Sequence, residues 1–184
     1  RSLVGSEMCI RDSACTAQEA ALQADEQFRS VEASSSNAIN TLEIKFYNKV
    51  DDKLLKFAVI ISKTNGKWIF CKHKERDTYE FPGGHREKGE SILSAAKREL
   101  SEETGAIDFA ITPICAYSVK GYAKVNENAD EKTYGMLYYA DVYSFGEIHS
   151  EIEKIIIVDK LVDNWTYPLI QPCLLQEATN RGFL

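Results

Sequence analysis

The stretch that most constrains this chain runs from Gly83 to Gly105 and reads GGHREKGESILSAAKRELSEETG. Two adjacent glycines open it and permit positive φ and close backbone approach. A helix-compatible run fills it, and a final glycine suits a C-terminal helix cap. Residues three and four apart share a helix face, so Glu99, Glu102 and Glu103 project together with Arg98 at the edge of the cluster. Like charges at that spacing repel and contribute nothing to helix stability. A divalent cation removes the conflict, and clustered carboxylate oxygens suit a hard ion such as Mg2+ or Mn2+. For such a cluster taken alone, the competing reading is a solvated acidic face.

The surroundings separate the two. The pattern G-x5-E-x7-R-E-U-x-E-E-x-G-U is met at Gly84, Glu90, Arg98, Glu99, Leu100, Glu102, Glu103 and Gly105. Ala106 stands at the last position, where a bulky aliphatic is usual, and Ile107 follows it. The stretch resembles the Nudix box. The resemblance extends over roughly residues 42–183, with specificity concentrated in the box. It implies an α/β/α fold and hydrolysis of a nucleoside diphosphate linked to another group, with Mg2+ or Mn2+ as cofactor. Carried over by position, the Gly83 carbonyl and the carboxylates of Glu99, Glu102 and Glu103 hold metal. Arg98 orients Glu99 through charge-assisted hydrogen bonds. Glu90 supports the loop-helix geometry, with Gly84 and Gly105 as its structural glycines.

The flanking segments fit such a fold. Leu42 to Tyr47 alternates apolar and polar, as in a half-buried strand. Phe57 to Ile61 is continuously apolar, as in a strand buried on both faces. Asn65-Gly66 signals a hairpin, and Trp68 to Cys71 returns. Tyr79 to Phe81 leads into Pro82-Gly83-Gly84. The box helix starts at Glu90 or Ser91, with Leu93, Ala96 and Leu100 as its core stripe and Ile92 at the margin. Strands are predicted over 107–119, 133–145 and 155–158, with a polar loop at 126–132. A closing helix is predicted over 168–182, with Pro172 in its first turn. Strands, helix, strands, helix give an α/β (α+β) chain: a mixed sheet sandwiched between helices.

The general base and the substrate stay open. The base is Glu99 itself or a late glutamate, among Glu147, Glu151 and Glu153. Tyr79 to Gly84 resembles the (L/W)EFPGG segment of MutT-type enzymes, which hydrolyse oxidised guanine nucleoside triphosphates. That makes Phe81 a candidate base contact, or else a core phenylalanine. Lys72 is a phosphate or base contact, or else a surface lysine. Asn164 recognises a purine edge, or else forms a turn. Tyr122 falls where dinucleoside polyphosphate hydrolases carry a tyrosine. His73, His85 and His149 lack metal-ligand spacing. The leading reading is a MutT-like pyrophosphohydrolase of 8-oxo-dGTP type. Alternatives are a dinucleoside polyphosphate or RNA 5′-pyrophosphate hydrolase, a non-catalytic nucleotide-binding module, and an isomerase using Cys71, whose flanking sequence does not match.

Composition narrows the partners. A net charge of −6 argues against a nucleic-acid surface and leaves a small anionic substrate screened by metal. The 5 cysteines form no CxxC pair, which points to reduced thiols in a cytoplasm. No apolar run is long enough to span a bilayer. The expected state is a monomer or homodimer. The segment from Leu3 to Ser13 resembles the in-frame translation of a transposon-end sequencing adapter, so residues 1–13 are read as an artefact. Residues 14–40 are read as a loose or partly helical tail, and residues 41–184 as the hydrolase domain.

Overall fold

The computed structural model describes residues 30–34, 41–121, 131–148 and 151–184. The adapter-like segment, Tyr122, His149 and most of the 126–132 loop lie outside them.

Nine strands form one mixed sheet: β1 (Ser30–Ser34), β2 (Thr41–Tyr47), β3 (Leu55–Thr64), β4 (Lys67–His73), β5 (Tyr79–Glu80), β6 (Gly83–His85), β7 (Ala106–Lys120), β8 (Lys132–Phe145) and β9 (Ile152–Val158). The main path is β1-β2-β7-β8-β3-β4-β5, with β6 pairing β3 and β9 pairing β4. Only the β3–β8 contact is parallel among the named strand pairs. Within the stretch read as a loose or helical tail, residues 30–34 instead pair with β2 as an edge strand. The Asn65-Gly66 turn forms as expected, with φ of 49° and 78° joining β3 to β4.

Among the described residues, two α-helices cover the two faces: α1 (Ile92–Thr104) and α2 (Gln171–Asn180). β3 serves both sides. Phe57 and Ile61 join the cluster containing Phe70, Phe81, Tyr117, Leu137 and the α2 residues Leu174 and Ala178. Ala58 and Ile60 join the opposite cluster beneath α1. There the floor is built largely from small residues, Ala58, Ala116 and Ala140, facing Ala95 and Ala96. Small side chains on both surfaces let the helix lie close to the sheet. Burying Leu100 completely adds roughly 1.5–3 kcal/mol of hydrophobic stabilisation.

The core stripe of α1 is shifted from the sequence expectation. Ile92, Ala95, Ala96 and Leu100 are buried, whereas Leu93 is 41% exposed. Ile92 and Leu93 both lie at helical spacing from Ala96, and the floor of the sheet selects the Ile92 side. At the C-terminal end of the chain, α2 is shorter than predicted. Residues 167–170 make a turn, Ile170 N–H donating to the Tyr167 carbonyl at 3.1 Å, before the helix begins with Pro172 in its first turn.

Candidate active site

The acidic face of α1 is assembled by three local devices. Ser91 caps the helix, its side chain accepting from the Ser94 N–H at 3.1 Å. That frees Glu90 from capping. Its carboxylate accepts from the Glu87 N–H at 3.1 Å and from two nitrogens of Arg98, Nε and Nη2, each at 3.1 Å. The second device is Gly105, which ends the helix at φ 73°. A Cβ there would lie 2.6 Å from the Gly146 carbonyl, so both the left-handed backbone and the space exclude other residues. Third, β6 pairs with β3 (Ala58 with Gly84, Val59 with Gly83) and lays the glycine loop against the helix.

Arg98 is the hub. Besides Glu90, it donates to Glu99 Oε1 at 2.8 Å, Glu102 Oε2 at 3.1 Å and the His85 carbonyl at 3.0 Å. The fork with Glu90 holds that carboxyl below the usual carboxylate range. Glu103 is different in kind. It is 7% exposed, and its Oε2 accepts from the Gly83 N–H at 2.8 Å. Burial pushes its carboxyl up to about 8, and the charges of Glu99, Glu80 and Glu151 push the same way. Glu99 is also raised, first by burial, with Arg98 opposing and Glu102 and Glu151 adding to the rise.

These features suit a cation. The charges that raise Glu103 are all negative, and its oxygens are the hard donors that Mg2+ or Mn2+ takes. As the side chains stand, no three such groups among the described residues converge at ligand distance. Arg98 draws Glu99 and Glu102 to itself instead. An ion bound here would compete with Arg98 for Glu99.

Gly84 faces Glu99 directly. A Cβ at this position would lie 2.2 Å from Glu99 Oε1. The obstacle is the end of a flexible side chain, so Gly84→Ala is expected to keep the fold while displacing Glu99. The expected loss is about 10–100-fold in kcat/KM with a Tm change under about 3 °C. Steady-state kinetics with a melting curve checks this; unchanged kinetics would show that Glu99 has no fixed placement to lose.

Beside the carboxylates lies a cavity of about 110 Å³. Its walls include Phe57, Phe81, Tyr117, Tyr167, Ile170 and Gln171, and Gly83 and Gly84 border it. Phe81 is a core phenylalanine that also borders the cavity. It is 2% exposed, packs against Phe70, Trp68 and Trp165, and lines the cavity.

Lys72 and Asn164 do not line it. Lys72 bonds Glu153 at 2.5 Å and Asp77 at 3.4 Å, an ion-pair cluster joining β4 to β9. Asn164 donates from its side chain to the Asp77 carbonyl at 2.8 Å, and its own carbonyl accepts from the Tyr79 N–H at 3.0 Å. Lys72 ties two strands and Asn164 ties two loop segments, which fits the surface-lysine and turn readings that the sequence offered beside substrate contact.

Of the late glutamates, Glu153 is engaged by Lys72. Glu147 is exposed at the Gly105 end of α1, where its carbonyl is a neighbour of the helix cap. Glu151 is the one whose charge reaches both Glu99 and Glu103. The sequence reading missed Tyr117, Gln171 and the buried Glu80. The one available signal was Pro172, which marks the first turn of a helix and so places Gln171 at its inner end.

Comparison with known proteins gives the following. Residues 52–163 match the NUDIX domain family. The chain is 37% identical over 86 residues to the "Putative 8-oxo-dGTP diphosphatase YtkD" of Bacillus subtilis. That match covers 47% of this chain and 54% of the relative, so it spans about half of that protein's length. Among solved structures, the Bacillus subtilis pyrophosphohydrolase BsRppH is similar with a TM-score of 0.63 at 24% identity, over 78% of this chain and 93% of that one. A NUDIX hydrolase from Nitrosomonas europaea is similar with a TM-score of 0.54 at 19% identity, over 69% and 90% of the two chains. These likenesses concern the fold. Among the described residues, no helix is long and apolar enough to cross a membrane.

Proposed function

Because the chain belongs to the Nudix family, we propose that it hydrolyses a pyrophosphate linkage of a nucleoside di- or triphosphate by water attack at phosphorus, with nucleotides of the 8-oxo-dGTP type as leading substrates. The observation that carries this reading is the buried Glu103 and the partly buried Glu99, held against the glycine loop beside a cavity with aromatic walls.

Glu99, Glu102, Glu103 and the Gly83 carbonyl would hold Mg2+ or Mn2+. The bound ion would neutralise phosphate charge and acidify water. The chain's own groups supply the rest. Arg98 fixes Glu99 and Glu102 against Glu90. Glu103 keeps a proton at neutral pH, which a bound cation would displace. The water's oxygen bonds phosphorus, the anhydride P–O bond breaks, and the bridging oxygen leaves on the departing phosphate, pyrophosphate or nucleotide. The water's proton passes to a carboxylate, for which Glu151 is best placed because its charge already reaches Glu99 and Glu103.

Glu151→Gln is expected to lower kcat about 10²-fold with little change in KM. A kcat within about threefold of wild type would move the base to Glu99.

A phosphate- and pyrophosphate-release screen tests the function. It uses 8-oxo-dGTP, the four dNTPs, ADP-ribose, dinucleoside polyphosphates and 5′-triphosphorylated RNA, each with Mg2+ and with Mn2+. Turnover highest on 8-oxo-dGTP supports the leading reading. Preference for RNA or dinucleoside polyphosphates would replace the substrate but keep the chemistry. No turnover on any of them would favour a nucleotide-binding module.

A further inference from the structure

Between Glu80 and Gly83 the chain changes partner strand. β5 pairs with β4, Glu80 opposite Cys71, and β6 pairs with β3, Gly83 opposite Val59. Phe81 and Pro82 make the crossing and belong to neither strand. The ladder therefore supplies no partner for the Phe81 N–H, although the residue is buried. A buried N–H left unpaired is costly to the fold.

Three different elements anchor the three consecutive residues. The Phe81 N–H donates to Gln171 Oε1 on α2 at 2.9 Å. The Pro82 carbonyl accepts from the Ile60 N–H on β3 at 2.9 Å. The Gly83 N–H donates to Glu103 Oε2 on α1 at 2.8 Å. Gly83 has no slack against β3, since a Cβ there would collide with the Ala58 carbonyl oxygen.

Gln171 is itself held in register with this crossing, because residues 164–171 run beside residues 77–81. The Tyr79 N–H donates to the Asn164 carbonyl at 3.0 Å, and the Thr166 N–H donates to the Tyr79 carbonyl at 2.8 Å. The Thr78 and Thr166 hydroxyls lie 2.8 Å apart. The Ile170 and Gln171 N–H groups both donate to the Tyr167 carbonyl, at 3.1 and 3.0 Å, and turn the chain into α2. The Trp165 ring packs on Phe81 at 5.4 Å between centroids and on Phe70 at 5.3 Å. Gln171 is 3% exposed. Burying an amide is unfavourable without a partner, and an apolar side chain of the same size would serve if packing alone mattered. Its oxygen meets the one backbone donor that the crossing leaves over.

We propose that Gln171 is a positioning residue of the active site: its bond to the Phe81 N–H sets the crossing from β5 to β6 and thereby the place of Gly83, whose N–H holds Glu103. The proposal rests on the reading of Gly83 and Glu103 as metal-holding groups and adds the residue that keeps them in register.

Amide exchange and Mn2+ binding on the full chain test it with three variants. Gln171→Met keeps the length and bulk of glutamine and removes the oxygen acceptor. Gln171→Glu keeps an oxygen acceptor for the Phe81 N–H. Arg181→Ala loosens the far end of α2, where Arg181 bonds Glu177 at 2.7 Å and Asn48 at 2.9 Å. In EDTA, Gln171→Met is expected to speed exchange of the Phe81 and Gly83 amides at least about 10-fold. It is also expected to weaken Mn2+ binding, read by electron paramagnetic resonance, about 5-fold or more. Gln171→Glu is expected to return both values to within about threefold of wild type. Arg181→Ala is expected to lower Tm while leaving both values within about threefold of wild type. Unchanged exchange in Gln171→Met, no recovery in Gln171→Glu, or an Arg181→Ala variant that behaves like Gln171→Met would overturn the proposal. The two readings fail separately. Faster exchange in Gln171→Met, with no Mn2+ binding by wild type, loses the metal site and keeps Gln171 as the residue that sets the loop. Equal Mn2+ binding by wild type and Gln171→Met loses the positioning role and keeps the metal site.

Discussion

Replacing Glu103 with glutamine is expected to reduce turnover by about 10³-fold or more while raising the stability of the metal-free protein. The two effects have one cause. Glu103 is buried, its carboxylate accepts from the Gly83 N–H, and the charges that raise it are all acidic. Burying a carboxylate in that setting is unfavourable without a cation, so the charge is retained at a cost to the fold. Glutamine keeps an acceptor for Gly83 and removes the charge.

The sign of the pH dependence follows from the same group. The folded protein binds this proton up to about pH 8, whereas the unfolded chain releases it in the ordinary carboxylate range. Stability from this group is therefore complete below that range and is lost as pH rises toward about 8. Melting curves in EDTA across that interval are expected to fall with pH in the wild type and to be flatter in Glu103→Gln. At pH 8 the variant is expected to be more stable by roughly 1–3 kcal/mol. Added Mg2+ is expected to narrow the gap by stabilising the wild type alone. A variant that turns over normally, or that is less stable in EDTA at every pH, would contradict this role.

Removal of Arg98 is the second large effect. Its guanidinium joins Glu90, Glu99, Glu102 and the His85 carbonyl, so one side chain fixes both the loop and the acidic helix face. Arg98→Ala is expected to cost about 1–3 kcal/mol in stability, with the partly exposed Glu102 contact adding little. It is also expected to lower kcat/KM by about 10²-fold through loss of a fixed Glu99. Lysine supplies the charge without the fork that grips both oxygens of Glu90. Arg98→Lys is therefore expected to recover less than a tenth of the lost activity. Full recovery in the lysine variant would mean that charge alone matters.

The acidic helix face was legible in the sequence because its residues are local. Glu99, Glu102 and Glu103 share a face through helical spacing, and Gly105 announces a cap. The mixed sheet was legible because β3 is apolar on both faces while β2 alternates. Leu93 was misread because two residues fit the helical spacing equally, and only the sheet beneath decides between them. Lys72 and Asn164 each kept two readings because their partners, Glu153 and Asp77, lie 81 and 87 residues away. For the same reason Tyr117 gave no signal and Gln171 only that of the neighbouring Pro172: one sits on a strand, the other opens a helix, and only the folded chain puts both on one cavity.

The central claim is that these carboxylates hold a divalent cation, and Mn2+ binding read by electron paramagnetic resonance tests it most directly. Wild-type protein is expected to remove free Mn2+ signal in a saturable titration, and Glu103→Gln to weaken that binding at least 10-fold with its melting curve intact. Equal Mn2+ binding by the two proteins would contradict the assignment.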